Sequence, residues 1–148
     1  MSNIERAIEI AISAHKNQSD KAGKPYLLHP LRLMLKMRTD AEMIAAVLHD
    51  VVEDSAWTLD DLRSEGFSEE IVAAVDHLTR REGQTYEDYV ERAAGNRIAC
   101  RIKIADLEDN LDATRLQEFS DSTIRRFEKY LKAWRFLTHN VENDSSKA

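Results

Sequence analysis

The run Val47-Leu48-His49-Asp50-Val51-Val52-Glu53-Asp54 sets a histidine and three acids in otherwise apolar sequence. An ionised carboxylate buried without a partner costs several kcal/mol. These groups therefore either face water or meet positive charge inside the protein. On a helix, His49 and Glu53 lie four apart, and Asp50 lies three from Glu53 and four from Asp54, so all four crowd one end of one face. Adjacent His49 and Asp50 splay by about 100° on a helix and reach a common ion only near the axis of a bundle. A mixed nitrogen and oxygen donor set suits Mn, Fe, Zn or Mg, and ligand softness does not choose among them. Two further residues punctuate apolar sequence. His29 ends "PYLLHP", between prolines, and Asp106 closes "RIKIAD" on what should be a buried face. His29, His49, Asp50 and Asp106 together would hold one divalent cation and leave positions open for water and a substrate oxygen. Spacing alone does not single these four out, and a hydrogen-bonded buried pair would also account for His49 and Asp50; the apolar flanks favour the ligand reading.

The elements that must carry these residues read as helices almost throughout. Ile4, Ala7, Ile8, Ala11, Ile12 and His15 follow one helix face. "NQSDKAGKPYLLHP" interrupts as a loop, with Pro30 suited to the first position of a helix through Leu31–Met37. A helix from about Asp40 to Val52 is apolar around most of its circumference, which predicts a buried central element. Thr58 before Asp60 and Asp61, Ser68 before Glu69 and Glu70, and Thr85 before Tyr86 read as caps of three more helices. Gly66 and Gly95-Asn96 read as stops. Ile98–Asp112 has some strand character from its Ile content, but helix is preferred. The last helix is Ser120–Leu137, with Ile124, Phe127, Leu131 and Trp134 on one face, serving either the core or a surface between copies of the chain. The expectation is an all-α bundle in a single domain over residues 1–140, with 141–148 a polar, frayed tail.

Composition narrows the class. At 148 residues the chain can bury a core without staples, and its one cysteine, Cys100, cannot form an internal disulfide. No apolar run approaches the roughly 20 residues of a membrane span. The formal charge of −6 argues against a nucleic-acid or anionic-membrane partner. The N-terminus, with Glu5 and Glu9 inside its apolar pattern, is an amphipathic helix and no signal peptide. A cytoplasmic protein is expected, and a homo-oligomer stays open.

Three blocks carry a resemblance: "GKPYLLHP" (Gly23–Pro30), "AAVLHDVVEDSAWTLDDL" (Ala45–Leu62) and "IKIADLEDNL" (Ile102–Leu111). In this order and spacing the chain resembles the HD phosphohydrolase superfamily, and within it the stand-alone hydrolase domains of the RelA/SpoT alarmone group. The resemblance implies an all-helical HD-domain bundle holding one divalent ion, usually Mn²⁺, on His29, His49, Asp50 and Asp106. It implies that Glu53 and Asp54 act on the attacking water, and that the reaction removes the 3′-pyrophosphate of guanosine tetra- or pentaphosphate. No synthetase domain would fit, which makes a hydrolase-only form the expectation. Lys21, Tyr26, Lys103 and Asn110 are the expected substrate contacts, Lys103 offsetting phosphate charge and Asn110 hydrogen-bonding ribose or phosphate. His77 is the one further histidine between the His49-Asp50 pair and Asp106, too few for a second ion. Two departures stand out. Asp20 occupies the loop where the family carries arginine, and the family's "ADRLHN" is here Ala105–Asn110 with Leu107 in place of arginine. Those changes leave the ion-binding set intact while loosening the tie to one nucleotide. A hydrolase of another nucleotide or phosphoester, and a silent HD domain that senses a ligand or binds a partner, are the competing readings.

Overall fold

Helix α3 (Asp40–Leu48) forms the axis of the molecule, because Ile44, Ala45, Ala46, Val47 and Leu48 bury every side it presents. The computed structural model describes residues 3–146. Around α3 pack α1 (Ile4–Ala14), α2 (Leu28–Leu35), α6 (Glu69–Leu78) and α8 (Arg97–Asn110). The fully buried Ala45 and Ala46 keep α3 slim where its neighbours press against it. The short α4 (Val51–Asp54) follows directly, and α5 (Leu59–Ser64) packs on α6. α7 (Tyr86–Ala94) and the long α9 (Asp121–Ser146) join α8 around a second apolar cluster of Val90, Cys100, Leu107, Ala133 and Leu137. One 3₁₀ turn, Ala113–Arg115, lies between α8 and α9. Among the described residues there is no strand, so the all-α expectation holds and the strand-like Ile98–Asp112 segment is helical. No helix among them is long and apolar enough to cross a membrane.

Local chemistry explains the boundaries. The Thr58, Ser68 and Thr85 hydroxyls accept from the N–H groups of Asp61, Ile71 and Asp88, satisfying orphan donors of their first turns. α3 begins with a reciprocal cap, in which Thr39 takes the Glu42 N–H and the Glu42 carboxylate takes the N–H groups of Arg38 and Thr39. Glu42 is buried and pairs with Arg101, which staples the start of α3 to α8. Gly66 adopts φ 94°, and the reversal lets the Phe67 N–H reach the Leu62 carbonyl at 3.3 Å and close α5.

Four expectations shift. α2 starts at Leu28, which puts His29 and Pro30 in its first turn, where a missing N–H is harmless. The helix expected from Asp40 to Val52 is broken at His49-Asp50, where Asp50 sits at φ −105°, ψ 0° and α4 starts anew. On α9 Thr123, Ala133 and Leu137 are buried, with Phe127, Tyr130 and Trp134 half-buried beside them, while Ile124 and Leu131, at 41% and 38% exposure, face outward. α9 also continues through Ser146, making residues 141–146 of the expected tail helical, while 147 and 148 lie outside the described residues.

Candidate metal centre and adjoining cleft

The break after Leu48 solves the splay problem that a straight helix would pose. With the backbone turned at Asp50, both side chains converge, and His49 Nε2 lies 2.9 Å from Asp50 Oδ2. His29, from the first turn of α2, joins them, so that ligand atoms of His29, His49 and Asp50 all lie within 4.8 Å of one another. Asp106 closes the group from α8, with Oδ1 2.8 Å from His29 Nε2 and 3.9 Å from His49 Nε2. Four residues spread over 77 positions thus meet because α2, α3 and α8 pack side by side.

The protonation pattern is that of a cation site. His49 Nδ1 lies 2.7 Å from the Ala46 carbonyl oxygen, which can only accept, so Nδ1 carries a proton and Nε2 is the nitrogen turned to Asp50 and Asp106. That Nε2 is buried, 2.9 Å from Asp50 Oδ2 and 3.9 Å from Asp106 Oδ1. Left neutral, Nε2 would set a lone pair against two carboxylates, and a positive charge there, a proton or a cation, removes that repulsion. Both imidazoles register this. Burial opposes their charging, but the surrounding carboxylates outweigh it, raising His49 and pushing His29 up to about 9. Asp50 and Asp106 stay well below the usual carboxylate range: burial opposes this, but His49 holds Asp50 down, and Lys103 together with His29 holds Asp106 down.

A surrounding layer of side chains fixes the donors. Tyr26 donates its hydroxyl to Asp50. Asp109, one turn after Asp106 on α8, accepts from His29 Nδ1 at 2.6 Å, and Arg32 grips Asp109 at 2.8 and 2.9 Å. The bond from Nδ1 to Asp109 fixes the orientation of the His29 ring, as carboxylate partners do in metal-binding histidines, and turns Nε2 toward Asp106. Asp109 was not singled out by sequence reasoning; its three-residue spacing from Asp106 was the available signal. The structure places Lys103 behind Asp106. It is buried, donates to Asp106 Oδ2 at 2.7 Å and lies 4.8 Å from the centre of the Tyr89 ring. Asn110 donates to Asp106 Oδ1 at 3.2 Å.

Glu53 and Asp54 stand at the rim, on α4. Glu53 Oε1 accepts from the Arg80 N–H at 2.8 Å, tying α4 to the loop between α6 and α7. Crowding by the protein and the nearby charges of Asp50 and Glu53 push the Asp54 carboxyl up to about 6. Beside the centre opens a cleft of about 250 Å³ whose walls include Lys21, Tyr26, Asn110, Arg115, Arg126 and Tyr130. Burial together with the charges of Arg126 and Lys129 depresses the Lys21 ammonium, which marks a cluster of cations. Asp20 is not a loose acid here. It receives the N–H groups of Ala22 and Lys24 at 2.9 Å each, and Arg115 lies 3.6 Å away. The charge of Asp20 is thus balanced by these N–H groups and by Arg115 of the 3₁₀ turn. Arg126 comes from α9, too distant in sequence to be associated with the motif.

Similarity to known proteins identifies the family and the fold. Residues 7–105 match the model of the HD domain. A probable GTP pyrophosphokinase of Mycobacterium leprae is 33% identical over 128 residues, covering 78% of this chain and 16% of that protein. A guanosine-3′,5′-bis(diphosphate) 3′-pyrophosphohydrolase of Aquifex aeolicus is 32% identical over 120 residues, covering 73% of this chain and 17% of that protein. The chain thus spans about one sixth of the length of these relatives. A solved structure, described as a metazoan ortholog of SpoT that hydrolyzes ppGpp, superposes with a TM-score of 0.75 at 21% identity, over 93% of this chain and 85% of that one. That superposition extends the likeness in fold over nearly the whole molecule. With the family's match spanning the helices that carry His29, His49 and Asp50, and reaching Ala105 beside Asp106, the chain belongs to the HD domain family.

Proposed function

We propose that this domain is a metal-dependent phosphohydrolase that removes the 3′-pyrophosphate of guanosine tetra- or pentaphosphate. The observation that carries the reading is the buried convergence of His29, His49, Asp50 and Asp106, with His49 Nε2 2.9 Å from Asp50 and 3.9 Å from Asp106. These four residues would hold one divalent cation, Mn²⁺ by the family resemblance. When bound, such a cation lowers the pKa of water and polarises a phosphoryl oxygen.

The chain's own residues divide the remaining work. Asp54, with its carboxyl at about 6, is ionised at neutral pH yet basic enough to take a proton from an attacking water. Glu53, held by the Arg80 N–H, orients that water from the other side of the rim. Lys103 keeps Asp106 ionised and aimed, and this buried pairing rather than phosphate contact is its role in the present reading. Lys21, with Arg126 beside it, supplies positive charge for the substrate's phosphates, while Tyr26 and Asn110 connect the cleft to the ion site.

A second reading, hydrolysis of another nucleotide or phosphoester, is favoured by Leu107, which is fully buried where the family pattern has arginine. The test is a panel of nucleotides incubated with Mn²⁺ and with chelator, following phosphate and pyrophosphate. Pyrophosphate from guanosine tetraphosphate supports the first reading, and phosphate from other nucleotides supports the second. A bound cation with no turnover would leave a ligand-binding module.

A further inference from the structure

His15 lies beside the centre and takes no part in the reading above. It ends α1, is 2% exposed, and its ring packs 4.9 Å from that of Tyr26, whose own ring is 5.6 Å from His29. Its protonation follows from its partners. Gln18 Nε2 donates to the carbonyls of Ala14 and Asp54 at 3.2 and 3.1 Å, so the amide oxygen is the end turned to His15. His15 Nδ1 sits 2.9 Å from that oxygen and must be the donor, which leaves Nε2 as a lone pair. Nε2 is buried and has no partner. Burial keeps the imidazole neutral despite the Gln18 bond and the nearby charge of Asp50. A buried acceptor left empty is costly, and apolar residues of the same shape would avoid that cost.

Resting on the hydrolase reading, we propose that His15 Nε2 accepts a hydrogen bond from a hydroxyl in the working site, a water or a substrate hydroxyl, while Gln18 fixes the tautomer and ties the same bracket to the backbone of Asp54. α1 thereby joins the machinery that α2, α3 and α8 carry. The role belongs to the acceptor atom, not to the bulk of the ring, and three substitutions separate the two. His15→Asn keeps a donor where Nδ1 was and loses the acceptor, His15→Gln puts an amide oxygen near the Nε2 position, and His15→Phe keeps volume only.

Each variant is first checked for the wild-type melting temperature, then assayed for pyrophosphate release from guanosine tetraphosphate. The Asn and Phe proteins should lose about tenfold in kcat/KM, the value of one hydrogen bond, and the Gln protein should retain most of it. A fall in kcat at constant KM identifies water as the donor, and a rise in KM identifies a substrate hydroxyl. Unchanged kcat/KM in the Asn and Phe proteins, or a Gln protein as impaired as the Phe one, overturns the proposal. If Phe fails to fold, the Asn and Gln pair still decides. Imidazole ¹⁵N spectra of the Asp54→Asn protein, with Mg²⁺ alone and with Mg²⁺ plus guanosine tetraphosphate, read the same atom without turnover. A hydrogen-bonded Nε2 in either state supports the assignment, and a free lone pair in both refutes it. Absence of release by the unaltered protein would instead refute the hydrolase reading, and the spectra would then decide on His15 alone.

Discussion

Asp54→Asn should make the protein more stable while destroying its activity. The Asp54 carboxyl is displaced from 3.8 to about 6, chiefly by burial and then by the charges of Asp50 and Glu53. The folded protein therefore binds this proton more tightly than the unfolded chain does. Between those two values the folded state carries more protons, so stability falls as pH rises through that window, and the cost is fully present above it. A displacement of this size corresponds to roughly 3 kcal/mol before screening. Because the side chain stands at an exposed rim, the part that survives solvent screening is on the order of 1 kcal/mol. For a domain of this size that is about 2–4 °C in melting temperature. Melts in the presence of chelator should show Asp54→Asn above wild type at pH 7.5, with the gap closing near pH 4. Turnover should fall by about 10²–10⁴-fold, as for removal of a general base. A variant that melts below wild type at pH 7.5 would refute the electrostatic argument, and one that turns over normally would refute the role of Asp54.

Other consequences follow from the same geometry. Asp109→Asn leaves an oxygen for His29 Nδ1 but removes the charge that Arg32 also grips, so Mn²⁺ affinity measured by calorimetry should drop by about 10–100-fold. An unchanged affinity would mean that His29 needs no clamp. His49→Ala should abolish stoichiometric Mn²⁺ by elemental analysis, and retention of the metal would remove His49 from the ligand set. Glu53→Gln keeps an oxygen for the Arg80 N–H, so helix content and metal should be preserved while turnover falls; loss of fold instead would make Glu53 structural. Leu48→Ala, at a fully buried position directly before the centre, should cost about 2–5 kcal/mol in denaturant unfolding. A cost below 1 kcal/mol would show that α3 does not anchor the core.

What was legible in the chain was local. Helix starts at Thr58, Ser68 and Thr85 could be read because a cap hydroxyl bonds a backbone N–H only three residues on. The burial of α3 followed from an apolar circumference, and His29, His49, Asp50 and Asp106 could be nominated because polar groups in apolar runs demand partners. The break at His49-Asp50, the clamp of Asp109 on His29, the retreat of Lys103 behind Asp106 and the pairing of Asp20 with Arg115 were not legible. The reason differs with each. The break depends on how α3 ends against its neighbours, and Lys103 could have faced either the cleft or Asp106 at the same helical spacing. His29 and Asp109 stand 80 positions apart, a pairing that only the packing of α2 on α8 creates. Composition and periodicity thus determined which buried polar side chains needed partners. The tertiary structure decided which of their atoms face one another, because hydrogen-bond direction and lone-pair orientation exist only once the helices are packed.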